Sequence, residues 1–282
     1  MVALQRNVLE TDVEEANGSS YDKLFSVLET FAATQVCSLT EVAERSALPF
    51  STVHRIAGQL IDRGYLVRLR RGRYQLGPLA FALGRNSSMR SLLADAGRLF
   101  LTKLAKQCRT HVHLGIFEDD MVTYLANASF GRDDFAVKEG MQLEAYCSGI
   151  GKILLAHLPE PALETYLSQG DFVALTANTI VDRSALASEL KTVLQRGWAT
   201  DLEEVETDLR CIAVPVRDEA GVVHAAISAS VRSRNAKLDD LLMLLPALTE
   251  ASAGLSARLF SRAAASGTEA CAVVKRTRPS GG

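Results

Sequence analysis

The chain has 282 residues, 48% of them apolar and 23% charged, with a formal net charge of −2. That profile fits a soluble globular protein of one large or two ordinary domains. With no apolar run of about eighteen residues, no membrane span is expected. The five cysteines, Cys37, Cys108, Cys147, Cys211 and Cys271, include no CxxC pair, which argues against a disulfide framework or zinc ribbon and for a cytoplasmic setting.

Residues 1–19 are acidic, lack the apolar core of a secretory signal and end in Asn17-Gly18-Ser19, so they are expected to be a disordered tail. Leu24, Phe25, Val27, Leu28 and Phe31 then give helical spacing over Tyr21–Ala33. Ser38-Leu39-Thr40-Glu41 reads as a capping box opening a short second helix, and Pro49 stops that helix and starts the next. In the third helix Val53, Ile56, Ala57, Leu60 and Ile61 form one apolar stripe. Ser51, His54, Arg55, Gly58, Gln59 and Asp62 cover the opposite arc, with Thr52 at its edge. Gly64 suits a left-handed helix end. Tyr65-Leu66-Val67 and Tyr74-Gln75-Leu76 read as two strands around the basic turn Leu69–Arg73. Three helices followed by a hairpin make a winged helix-turn-helix, expected over residues 20–82.

Charge supports that reading once it is placed. Arg45, Arg55, Arg63, Arg68, Arg70, Arg71 and Arg73 face a single acid, Asp62, between positions 45 and 77, while the rest of the chain is acidic on balance. A basic patch on a near-neutral chain points to a polyanion partner for that segment alone.

Leu79 to Gln107 is helical in pattern, broken near Arg85-Asn86-Ser87-Ser88, and a linker helix is expected over residues 83–100. A second domain follows over residues 101–262. His111–Phe117 and Met121–Ala126 read as a hairpin turned at Glu118-Asp119-Asp120. Ile150–His157, Pro161–Leu167 and Ser184–Arg196 read as helices. Trp198–Asp201, Cys211–Val216 and Val222–Ser230 read as strands, and Lys237–Phe260 as one long closing helix. The class is α+β. Residues 263–282 are expected to be a second disordered tail.

In these pieces the chain resembles the IclR family of bacterial transcriptional regulators. The resemblance rests on Leu48–Arg55, Arg63–Val67 and Gly72–Gly77 in the first domain. In the second it rests on Cys147–Lys152, Arg196–Glu204, Leu209–Val216 and Ala226–Ser230, all in family order. It covers roughly residues 20–262 and implies a winged-helix DNA-binding domain, a linker helix and a GAF-like α/β effector domain. It also implies a homodimer or homotetramer and a small-molecule effector.

Arg55 and Gln59 lie one turn apart on a single face and suit base edges in a major groove. Ser51 and Thr52 sit where hydroxyls and free N–H groups suit a phosphate, and His54 adds a polar group beside them. Arg70, Arg71 and Arg73, with Arg45, suit phosphates or a narrow minor groove. A double-stranded, near-palindromic operator follows from a dimer. Where relatives often carry a basic residue after the helix-opening Pro, this chain has Phe50, so a phosphate contact is lost, or Phe50 touches a thymine methyl or packs within the domain.

The resemblance carries the family's ligand groove onto Gly149, Ile150, Asp201, Cys211, Ser228 and Ser230, with Leu143 and Phe135 near wall positions. The chemistry is consistent with that transfer. Ser228 and Ser230, two apart on a strand, share a face. A helix start, two hydroxyls and a thiol suit a carboxylate or carbonyl. Arg132 stands where relatives often place an apolar wall residue. Asp208 stands where they often have Gly, Leu202 where they often have Asp, and Val231-Arg232 replaces a usual Gly-Pro.

The bland reading of each residue is a solvated helix position for Arg55 and Gln59, a buried small hydrophobe for Cys211 and local backbone bonding for the serines. An enzyme built on Cys211 with His111 or His113 lacks any catalytic signature, so neither catalytic residues nor a cofactor are expected. A metal- or redox-responsive regulator using the Cys147/Cys211 region is the alternative, although the spacing matches no recognised metal site. The expected function is a ligand-responsive repressor of an adjacent catabolic operon, released by a small organic acid, aldehyde or aromatic metabolite.

Overall fold

The computed structural model describes residues 19–32, 34–85, 88–131, 137–232 and 237–261. The chain separates into two compact units between Ser88 and Met89. Both expected tails, apart from Ser19, lie outside the described residues.

In the N-terminal unit α1 (Ser20–Ala32), α2 (Leu39–Ser46) and α3 (Phe50–Asp62) enclose one core. Val27, Phe31, Val42, Val53, Ile56 and Leu60 fill it because each helix repeats its apolar residues every three to four positions. The capping box at α2 forms as its sequence dictates: Glu41 N–H donates to Ser38 Oγ at 3.3 Å and Ser38 N–H donates to Glu41 Oε2 at 2.6 Å. Gly64 ends α3 at φ 77°. β2 (Leu66–Arg68) and β3 (Arg73–Leu76) form the expected hairpin, joined by a 3-10 turn at Arg70–Gly72. A two-residue strand that the pattern does not announce, β1 (Cys37–Ser38), completes the sheet in the order β1-β3-β2. Helix α4 (Pro78–Arg85) closes the unit.

The second unit opens with α5 (Met89–Cys108), so the expected linker span 83–100 takes in the end of α4 and more than half of α5. Its sheet is antiparallel throughout, in the order β6-β5-β4-β9-β8-β7. These strands are β4 (His111–Glu118), β5 (Met121–Ala128), β6 (Gln142–Glu144), β7 (Ala199–Leu202), β8 (Leu209–Arg217) and β9 (Val223–Arg232). β6 is the one strand of this sheet absent from the sequence reading.

Side-chain alternation divides the sheet into two faces. Val112, Leu114, Ile212, Val214, Ile227 and Ala229 pack against α5 and α10 (Leu245–Phe260). On the opposite face Val122, Tyr124, Ala213 and Ala226 pack toward α6 (Gly149–Ala156), α7 (Glu160–Gln169) and α8 (Arg183–Arg196). The closing helix departs from the single span expected: it is α9 (Leu238–Leu242) followed by α10, with the break at Met243-Leu244. Pro246 in the first turn of α10 is the cause, since it lacks an N–H and its ring obstructs the carbonyl four residues earlier.

Candidate functional site

Two groups of side chains converge, one in each unit. In the N-terminal unit the buried stripe of α3 fixes which residues face outward. Ser51, His54, Arg55 and Gln59 are exposed and Thr52 is half-buried, all on the arc away from the core. Phe50 is also exposed, with its ring 6.1 Å from that of His54, so it belongs to this outer surface and not to the core. The wing turn carries Arg70 and Arg71 outward, Arg71 in left-handed backbone at φ 59°.

Arg73 and Arg45 also make contacts within the unit. The Arg73 guanidinium donates to Glu41 Oε2 at 2.9 Å and to the Val36 carbonyl at 2.7 Å. It ties the wing strand to the capped start of α2, while its side chain stays partly exposed. Arg45 donates to Thr34 Oγ1. Arg55, Arg70 and Arg71 have no ion pair among the described residues.

In the second unit a cavity of about 200 Å³ lies between the sheet and the start of α6. Strand register builds it. Asp201 pairs with Cys211, Cys211 with Ser230, and Ser228 with His113, which aligns these side chains on one face of neighbouring strands. Alternation makes this the α6 face. Gly149 rests directly on the sheet: a Cβ there would lie 3.4 Å from Ala213 Cβ and 3.8 Å from Cys211 Cβ. Ser148 caps α6, its Oγ accepting from Gly151 N–H at 3.1 Å. Leu143, Gly149, Ile150, Asp201, Cys211, Ser228 and Ser230 all line this one cavity. Phe135 and Arg132 lie outside the described residues.

Its lining residues include no lysine or arginine. Cys211 Sγ and Ser230 Oγ are 3.1 Å apart. Asp201 accepts from Glu204 N–H at 2.7 Å, and burial pushes its carboxyl up to about 7. Burial likewise lowers His113 to about 4, with His111 adding to the effect, so its imidazole is neutral at neutral pH. Cys147 is pushed up to about 12 and Cys211 well above its usual range, in both cases by burial first and Asp201 second. Neither thiol has the low pKa of a reactive cysteine. Among the described residues no cluster of His, Cys, Asp and Glu could hold a metal ion. The site therefore combines hydroxyls, a neutral imidazole, a carboxyl whose proton affinity burial raises and the start of a helix, which is chemistry suited to a small oxygen-rich molecule.

Sequence reasoning missed His113 and Tyr124, whose rings meet edge to face at 5.6 Å on the cavity wall. It also missed Met141, Val205, Glu206 and Leu209. The available signal was cross-strand register, which places His113 opposite Ser228. Arg232 donates to Oε1 of Glu206, one of the residues lining the cavity, at 2.7 Å. Asp208 adopts φ 66°, left-handed backbone that favours Gly and that Asp tolerates better than most residues.

Behind the cavity Lys152 Nζ meets Glu204 Oε1 at 2.5 Å, with both side chains almost fully buried. The Glu204 carbonyl also accepts from Thr179 Oγ1 at 2.7 Å. This fastens the loop after β7, which carries Val205 and Glu206, to α6 and to the segment before α8.

Comparisons with known proteins match each of the two units to a family description. The family description "IclR helix-turn-helix domain" matches residues 20–70, and "Bacterial transcriptional regulator IclR C-terminal" matches residues 88–257. The HTH-type transcriptional regulator BhcR of Paracoccus denitrificans is 32% identical over 87% of this chain and 90% of its own length. The Pca regulon regulatory protein of Pseudomonas putida is 30% identical over 79% and 77%. Among solved structures, an IclR homolog from Microbacterium hydrocarbonoxydans complexed with 4-hydroxybenzoate aligns with TM-score 0.56 and 28% identity, covering 86% of this chain and 99% of that one. The Thermotoga maritima IclR aligns with TM-score 0.56 and 26% identity over 85% and 98%.

Proposed function

The chain belongs to the IclR family of DNA-binding bacterial transcriptional regulators, and from that premise we propose that it is a repressor released by a small organic acid, aldehyde or aromatic metabolite. The observation that carries the ligand half is the single cavity joining Ser228, Ser230, Cys211 and Asp201 to the start of α6. In this reading a carboxylate or carbonyl accepts from the α6 N–H groups and the two hydroxyls. Tyr124 and His113 supply polar contacts at the wall, and Leu143 and Ile150 cover the apolar body. The neighbour bound to 4-hydroxybenzoate supports a ligand of this size and character.

On the DNA side, Arg55 and Gln59 read base edges in the major groove while Ser51, Thr52 and His54 contact the backbone near the start of α3. Arg70 and Arg71 contact phosphates or an adjacent minor groove. Two copies place their α3 helices in successive major grooves about 34 Å apart, which calls for a near-palindromic operator. The ligand acts through its difference in affinity between DNA-competent and released states. An adjacent catabolic operon is the proposed target.

The test uses the full chain bound to fluorescent DNA from upstream of its own gene, titrated with 4-hydroxybenzoate and a panel of small acids, aldehydes and aromatics. The Ser228→Ala, Ser230→Ala double variant keeps DNA binding and loses the response to whichever compound releases the parent protein. A response that survives in the variant removes the cavity from the mechanism.

A further inference from the structure

A second cavity, of about 510 Å³, opens at the far end of the β4–β5 hairpin and shares no lining residue with the effector cavity. Four aromatic side chains, Phe117, Tyr146, Tyr166 and Phe172, form part of its wall. The rings of Phe117 and Tyr166 lie 5.9 Å apart, those of Tyr166 and Phe172 5.8 Å, and those of Phe172 and Tyr146 4.9 Å. The rings are held in place. Tyr146 Oη donates to the Val173 carbonyl at 2.7 Å and accepts from Val173 N–H at 3.1 Å, pinning the segment that carries Phe172. Gly170 leaves the room this needs, since a Cβ there would lie 2.4 Å from the Phe172 ring.

Carboxylates from three separate elements line the same cavity: Asp120 from the β4–β5 turn, Glu144 from β6 and Asp171 from the loop after α7. The lining residues include no lysine, arginine or histidine, and none of these acids forms an ion pair among the described residues. Their field reaches the ring wall: the Tyr166 hydroxyl is pushed up by burial first, then by Glu144, with Asp120 contributing.

We propose that this cavity binds a small organic cation, an alkylammonium or quaternary ammonium compound, using ring faces and carboxylates together. A cation over an aromatic face gains from the ring's negative charge, and a partly desolvated site strengthens that attraction. Apolar walls accept the carbon groups on nitrogen. The same carboxylates repel an anion. A bare metal ion fits poorly, because hard cations need converging oxygens at short range, and no such cluster occurs among the described residues. The site is independent of the effector reading, and occupancy of one cavity is not required for the other.

The experiment is calorimetric titration of the full chain with choline, tetramethylammonium and putrescine, beside the uncharged isostere of choline in which carbon replaces nitrogen. The expected result is binding of at least one cation, with the isostere weaker than choline by about tenfold. Asp120→Asn with Glu144→Gln lowers the cation's affinity several-fold and reduces its dependence on salt, and Phe172→Leu lowers it as well. Ser228→Ala with Ser230→Ala leaves it unchanged. Thermal melts of each variant confirm that the fold is retained. Absence of binding by all three cations overturns the proposal, as does equal binding of choline and its isostere. Affinity that survives the carboxylate and Phe172 variants, or is lost in the serine variant, overturns it too.

Discussion

Asp201 is almost fully buried in the cavity wall, with its carboxyl pushed up to about 7 from an ordinary 3.8. The folded chain thus keeps a proton that the unfolded chain has already lost between about pH 4 and pH 7. Stability from this group is present at the acid end and is lost as pH rises through that window, by at most about 1.4 kcal/mol per pH unit. Asp201→Asn removes the dependence and retains an oxygen to accept from Glu204 N–H. The stability of the variant relative to the parent should therefore rise from pH 4 to pH 7 and level off above it, as read by urea unfolding followed through Trp198 fluorescence. A constant difference across the window contradicts the assignment. At this scale the sequence was legible unevenly. Asp201, Cys211, Ser228 and Ser230 were found through the family's motifs, because nothing in their own spacing separates a ligand wall from ordinary strand polarity. His113 and Tyr124 were missed because their role depends on which strand lies beside which. Arg73 looked like its wing neighbours, yet pairing with Glu41 thirty-two positions earlier has no local signature.

Among the elements, those with strong local chemistry were readable and those made by tertiary pairing were not. The capping box at α2 and the left-handed Gly64 were plain from residue type. β1 and β6, two and three residues long, exist only because β3 and β5 offer them partners. The break before α10 did have a signal, Pro246, which the long apolar pattern overrode. The cap gives a direct test. Ser38→Ala should cost about 1 kcal/mol, seen as earlier unfolding of the N-terminal unit, and an unchanged transition would show that Glu41 alone sustains the start of α2. Lys152 on α6 gives a stronger one. Lys152→Met leaves Glu204 buried without its partner and should destabilise the second unit by roughly 3–5 kcal/mol. Adding Glu204→Leu should restore much of that loss. If the single variant melts like the parent, the buried pair does not hold the loop to α6.

For the whole molecule, the division of labour follows from where charge and small polar groups are placed. Arg45, Arg55, Arg63, Arg68, Arg70, Arg71 and Arg73 crowd one short stretch of the N-terminal unit, around a helix whose core face leaves Arg55 and Gln59 outward. The second unit pairs Arg232 with Glu206 and keeps its cavity free of lysine and arginine among the residues that line it. Fold class and the order of elements were legible because periodicity and turn residues are local. The ligand, the operator and the direction of control depend on shapes that one sequence does not encode locally. The central claim is sequence-selective DNA binding by this surface, and its most direct test is fluorescence anisotropy of the full chain. It is run on DNA from upstream of its own gene and on a scrambled fragment, each at two salt concentrations. The account predicts tight, salt-sensitive binding that favours the upstream fragment, with a shallower salt dependence for Arg70→Ala, Arg71→Ala and little change in sequence preference. Equal affinity for both fragments, or no binding at either salt, would contradict it.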